Sequence, residues 1–263
     1  MVFSLALVCG QRRGAPPVQP TSEDLAKIRE KCDRIGAVVR DLKAHKVNQD
    51  LVADVEVYAK AGRFLMEFPE LTITQAAIDH AMAVLDQGIV RAKQLSDGAA
   101  PWNEGKKQIH AYYSEIDGSV QPYAVTLPEN YDPAKPARLY VWMHGRSNNA
   151  TETEFLFAQQ TFRPGNPPVA DQGQIQLDLF GRINSAGWHW AGEADVFEAI
   201  QAVESASKSI ASVFCCAASP WAAKERGTSP CIIPTGSPPP RSARAPGRVD
   251  RRRPASNHIN TPR

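Results

Sequence analysis

The feature that most constrains this chain is an apolar run, Leu139-Tyr-Val-Trp-Met143, that stops at His144-Gly145. Five consecutive aliphatic, aromatic and β-branched residues suit a strand buried on both faces, as in a parallel sheet covered by helices. The end of such a strand lies at the carboxyl edge of the sheet, where α/β proteins bind ligands. Glycine at that edge leaves main-chain N–H groups open to an incoming oxygen that a Cβ would block. The plain alternative is a core strand followed by an ordinary turn.

Before this strand the hydrophobic period is helical. Thr21-Ser22-Glu23-Asp24 supplies a cap and an acidic first turn, after which Leu25, Ile28, Cys32, Ile35, Val38 and Leu42 fall on one face. A second helix is expected from about Asp50, turning Leu51, Val55, Tyr58 and Leu65 inward and ending near Phe68-Pro69, since proline cannot continue it. Thr72 or Thr74 caps a third, which carries Ala77, Ile78, Ala81, Leu85, Ile89 and Ala92 and closes at Asp97-Gly98. Residues 21–98 thus read as a helical module with a packing role. His45 and His80, on polar or mixed faces, read as solvated.

From Gly105 the period shortens to that of strands. Gln108–Ile116 and Ser119–Leu127 flank an Asp117-Gly118 hairpin signal, and a polar connection, Pro128–Pro133, leads to the buried strand. A short helix over Thr151–Gln160, a strand over Gln174–Phe180 and a helix over Glu193–Val203 follow. This order predicts the first half of a mixed α/β sheet across 105–204.

Composition narrows the function classes. A net charge of +2 gives no strong attraction to nucleic acid or to a membrane surface, and no stretch is long enough to span a bilayer. Cys9 and Cys32 are the only cysteines before residue 205, so there is no disulfide framework or metal-ligand spacing, and neither a metal nor a cofactor is expected. Residues 1–20 read as a leader or linker: Val2–Val8 is apolar but short, with Arg12-Arg13 behind it. A working leader implies export, and otherwise a cytoplasmic location is expected.

Residues 105–204 resemble the α/β-hydrolase fold, particularly bacterial esterases and prolyl-oligopeptidase-like serine hydrolases. The resemblance is carried by Tyr123-Ala-Val-Thr-Leu-Pro-Glu-Asn-Tyr131, Leu139-Tyr-Val-Trp-Met-His-Gly145, Asp178-Leu-Phe-Gly-Arg182 and Asp195-Val-Phe-Glu-Ala-Ile-Gln-Ala-Val203. It implies that His144, Gly145 and Arg146 form an oxyanion loop, with the Arg146 N–H as a donor, and that intact relatives act on small-molecule esters or peptides. The rest of the machinery is not in the sequence. The family's G-x-S-x-G elbow, followed by an acid and then a histidine, has no match. The nearest string, Gly145-Arg-Ser147-Asn-Asn149, lacks the second glycine and lies on the wrong loop.

Where the elbow is due, the composition changes. Residues 205–263 hold 10 of the 30 Lys and Arg, 2 of the 28 Asp and Glu, and nine of the 21 prolines. Val213-Phe-Cys-Cys begins like a strand but gives way to Pro, Arg and Ser, so this basic tail is expected to be disordered. The neighbouring reading frame is more orderly. Joining the third base of each codon to the first two of the next, from Ser209 onward, permits a string containing G-F-S-M-G-G, with Trp221-Ala222 forcing a glycine. A frameshift near Glu204–Ser209 is therefore expected to have removed the nucleophile and all the residues encoded after it. On this view Cys215, Cys216 and Cys231 carry no chemistry.

The chain is thus expected to be a truncated, catalytically incomplete serine hydrolase. The rival from another class is a non-catalytic binding protein whose basic tail touches nucleic acid or acidic surfaces. A third reading, an unusual intact hydrolase, would use Asp195 or His189, with Trp188-His-Trp190 as an aromatic rim.

Overall fold

The computed structural model describes residues 17–72, 74–144, 151–160, 173–182, 188–207, 210–217 and 231–233, with 211–217 and 231–233 described by their backbone alone. The chain divides into two compact units, one of Met1–Pro101 with Asn148–Arg163 and one of Trp102–Ser147 with Pro164–Arg263. Among the described residues, no helix is long and apolar enough to cross a membrane.

The first unit is helical. Helix α1, Ser22–Ala44, opens on a capping box: Asp24 N–H donates to the Thr21 hydroxyl at 3.1 Å, and Thr21 N–H donates back to the Asp24 carboxylate at 3.0 Å. Its buried stripe is Ile28, Cys32, Ile35, Val39 and Leu42. Alternating steps of four and three keep the face inward, so Val39 takes the place expected of Val38. Helix α2, Gln49–Glu67, is capped by Asn48 and stops at Phe68, ahead of Pro69. It touches α1 and the two helices that come after it in this unit, so Val52, Ala53, Val55, Val57, Tyr58 and Ala59 are buried around most of its girth. Helix α3, Gln75–Ser96, takes Thr74 as its cap, while Thr72 is buried beside it.

The helices meet where side chains are smallest. A Cβ on Gly88 would lie 2.6 Å from Tyr58 Cβ and 2.7 Å from Ile35 Cδ1, so α3 can approach α1 and α2 only with glycine there. Arg91, one turn on, is buried with its guanidinium 5.2 Å from the centre of the Tyr58 ring, and burial lowers its pKa.

Helix α4, Glu152–Gln160, completes this unit although it is encoded between two strands of the other. Lys60 Nζ donates to Glu152 at 2.5 Å. The His80 ring stacks on Phe157 at 3.7 Å, with Nδ1 3.0 Å from Glu154. His80 is therefore packed, not solvated as its local sequence suggests, because its neighbours arrive from more than seventy positions away. His45 is exposed, and its Nδ1 donates to the Asp41 carbonyl of its own helix.

The second unit is a sheet with one described long helix. Strands β1 (Lys107–Tyr113) and β2 (Val120–Thr126) pair antiparallel, from Lys107 opposite Thr126 to Tyr113 opposite Val120. The hairpin turn is wider than a two-residue Asp-Gly connection. Gly118 alone has positive φ there, and the side chains of Ser114 and Asp117 accept the N–H groups of Ile116 and Ser119. Strand β3, Ala137–Met143, lies parallel to β4, Ile175–Leu179, and β4 lies antiparallel to β2. Helix α5, Ala191–Ala206, sets Val196, Ala199, Ile200 and Val203 into a core with Tyr123, Val125, Leu139, Val141 and Leu177.

Two further strands belong to the stretch expected to be disordered. Strand β5, Ile210–Ala217, runs parallel to β3, and β6, Cys231–Ile233, pairs antiparallel with β5. Val213-Phe-Cys-Cys, which begins like a strand in the sequence, falls within β5. The rest of 218–263 lies outside the described residues. The sheet order is β1-β2-β4-β3-β5-β6.

Candidate functional site

That order fixes where a ligand would sit. The chain leaves β3 for β4 on one side and returns to β5 on the other, so the carboxyl ends of β3 and β5 flank a topological switch point. Met143 and Ala217, the last residues of these strands, are partners in register. His144 comes directly after.

Two hydrogen bonds among the described residues hold His144. Its Nε2–H donates to the Phe180 carbonyl at 2.9 Å, the proton being placed there because a carbonyl can only accept. Its own carbonyl accepts the Trp188 indole N–H at 3.1 Å, and the two rings meet edge to face at 5.3 Å. The His144 ring is thus turned to the backbone just past the end of β4. Gly145 and Arg146, the remaining members of the expected oxyanion loop, lie outside the described residues, as does Ser147.

Beside His144, β4 ends in a tightly held turn. Gly181 adopts φ +73°, and a Cβ there would lie 2.8 Å from the Trp188 ring, so glycine is required twice over. The Gly181 N–H donates to Asp195 Oδ2 at 2.8 Å, and the Tyr112 hydroxyl donates to Asp195 Oδ1. Asp195 is sealed from solvent. Burial pushes its pKa up to about 6, against the opposing pull of the Tyr112 and Gly181 hydrogen bonds and of nearby Arg182. Burial, followed by the charge of Asp195, pushes the Tyr112 phenol well above its ordinary value.

Arg182, at φ +65°, extends the network outward. Its guanidinium donates to Ser114, to Glu198 at 3.2 Å and to Asp117 at 3.0 Å, while Glu198 accepts the Glu115 N–H at 2.9 Å. The network ties the β1–β2 turn, the end of β4 and the first half of α5 into one block. Its signal in the sequence is the pair Asp195 and Glu198, three apart and adjoining the apolar stripe of α5, where acids are out of place unless paired.

The two residues named for the unusual-hydrolase reading lie in different settings. Asp195 has both oxygens engaged with protein donors and does not face solvent. His189 is exposed, and its ring neighbour is Trp190 at 6.1 Å. The expected aromatic rim divides in two, with Trp188 buried against His144 and Trp190 82% exposed at φ +49°. Among the described residues, no three His, Cys, Asp or Glu stand together as a metal site. No protein-family model and no curated protein matches this chain.

Proposed function

We propose that this chain descends from the serine hydrolases of the α/β-hydrolase fold, retains their oxyanion loop at His144, Gly145 and Arg146, and is inactive because its nucleophile elbow is not translated. The observation that carries the reading is the end of β5. Ala217 closes that strand in register with Met143, the place where a strand-turn-helix elbow belongs. In the neighbouring frame the serine of G-F-S-M-G-G spans codons 219 and 220, two residues beyond the strand. The antiparallel hairpin leading into parallel strands also accords with the resemblance.

The translated frame does have a serine there, Ser219, but in the setting Ala217-Ala-Ser-Pro-Trp221. An elbow needs glycines to relieve its strained turn, and it needs the N–H of the residue after the nucleophile for the oxyanion. Pro220 has no N–H to give. Even a well-placed Ser219 would therefore lack half of its oxyanion site, and each such donor is worth about 3 kcal/mol of transition-state stabilisation.

Two measurements test this. Incubation with a p-nitrophenyl ester and a fluorophosphonate probe is expected to give neither turnover nor labelling of any serine; stoichiometric labelling of one serine refutes the inactive reading. Nucleotide sequence across codons 200–240 is expected to encode G-F-S-M-G-G in the displaced frame. A stop codon or an unrelated string there removes the frameshift from the account.

A further inference from the structure

The sheet unit contains a concavity away from His144. Its volume is about 400 Å³. Ile175, the first residue of β4, contributes to it and pairs with Leu139 near the start of β3, so the cavity lies toward the amino edge of the parallel strands. His144 lies beyond their carboxyl edge. Val203, Ala206 and Ser207, at the last turn of α5, form the facing wall.

The lining has a definite chemistry. Val125, Leu127, Pro133, Ile175 and Val203 make it apolar. Tyr123, Tyr131 and His110 bring three rings, and His110 lies opposite Tyr123 across β1 and β2 with their centroids 5.6 Å apart. Two polar pairs are set into the wall: the hydroxyls of Tyr131 and Ser207 at 2.9 Å, and His110 Nε2 with the Gln108 side-chain oxygen at 3.2 Å. No Asp, Glu, Lys or Arg lines the cavity among the described residues. Lys107 and Asp178 alternate onto the opposite face of the sheet and pair with each other at 2.8 Å.

We propose that this cavity binds a small neutral aromatic molecule carrying one hydroxyl or N–H group, of the phenol or indole class. The volume falls within the range of about 300–1,000 Å³ usual for small-molecule sites, and apolar walls with a few placed polar groups are the usual composition. Ring faces and edges on the wall favour an aromatic guest. The hydroxyl pair can exchange a partner for the guest's own O–H or N–H without leaving a polar group unmet. A charged guest would lose its hydration to a lining whose described residues include no Asp, Glu, Lys or Arg. The proposal stands apart from the hydrolase reading and uses none of its oxyanion-loop residues.

The test is a titration of the full chain with phenol, benzoate and toluene followed by NMR. Phenol is expected to bind saturably with a dissociation constant of about 1 mM or tighter, with intermolecular NOEs to the rings of Tyr123, Tyr131 and His110. Benzoate should bind about tenfold more weakly or worse, because its carboxylate would lose hydration against apolar walls. Ala206 lines the cavity yet is exposed, so Ala206→Trp occupies the space without displacing core and should weaken phenol at least about fivefold. Tyr131→Phe keeps the ring, removes the hydroxyl and should narrow the preference for phenol over toluene. Non-saturable binding, NOEs confined to other rings, equal affinity for benzoate, or a phenol affinity and preference unchanged in both variants each overturn the proposal.

Discussion

The two units are held together by different means. In the helical unit the decisive contacts are steric: Gly88 admits Tyr58 and Ile35, and a continuous apolar stripe runs along α1. In the sheet unit the apolar core is equally continuous, but the end near His144 depends on one buried carboxyl group that receives Tyr112 and Gly181. Steric cores fail by small increments as volume changes, whereas a buried polar hub fails at once when its acceptor goes. The contrast can be measured separately in each unit. Trp102, Trp142, Trp188 and Trp190 lie in the sheet unit, while most of the described helix lies in the other.

The strongest break is Asp195→Ala. It strands two buried donors and is expected to cost about 3–5 kcal/mol, read as a lower urea midpoint by tryptophan fluorescence with little change in the helical signal at 222 nm. An unchanged fluorescence midpoint would remove Asp195 from the centre of the unit. The second is pH. Asp195 has a folded pKa raised from 3.8 to about 6, so the folded unit holds its proton more tightly than the unfolded chain does. The resulting stabilisation is fully present below about pH 4 and is lost as pH rises through about 6, amounting to roughly 3 kcal/mol. The difference in stability between the wild type and Asp195→Asn, followed by fluorescence from pH 4 to 7, isolates this from the other acids. A difference independent of pH would contradict it.

In the helical unit, Gly88→Ala is expected to destabilise by about 1–3 kcal/mol through overpacking, even though alanine is the better helix former by about 1 kcal/mol. Circular dichroism should register the loss and tryptophan fluorescence should not. The smallest effect belongs to His80→Ala, which removes the stack on Phe157 and the contact with Glu154 and should cost about 1 kcal/mol in the same circular dichroism transition. A shift in the fluorescence transition instead would undo the assignment of α4 to the helical unit.

Much of the scaffold is legible in the sequence because it is written locally. Thr21 with Asp24, Phe68-Pro69 and Asp97-Gly98 mark helix ends within a few residues, and the strands stand out by run and alternation. Errors arise where a neighbour distant in sequence decides the matter. His80 is covered by a helix from beyond β3. At the candidate site, the strand end at His144 can be read from five residues. Its anchors cannot, since Phe180 and Trp188 lie 36 and 44 positions away. The partners of Asp195 are hidden for the same reason, although its place with Glu198 beside the apolar stripe of α5 marks it as an acid in need of one.

Helix α4 bears on how the chain reaches its final form. The helical unit is written in two pieces with β1, β2 and β3 between them. On the ribosome, α1 to α3 emerge early but must wait through three strands for the segment that covers His80. A fragment cut at residue 101 would be a three-legged version of that unit, leaving Lys60 without Glu152 and the imidazole of His80 open to water. Neither half of this molecule can be finished before much of the other has been translated.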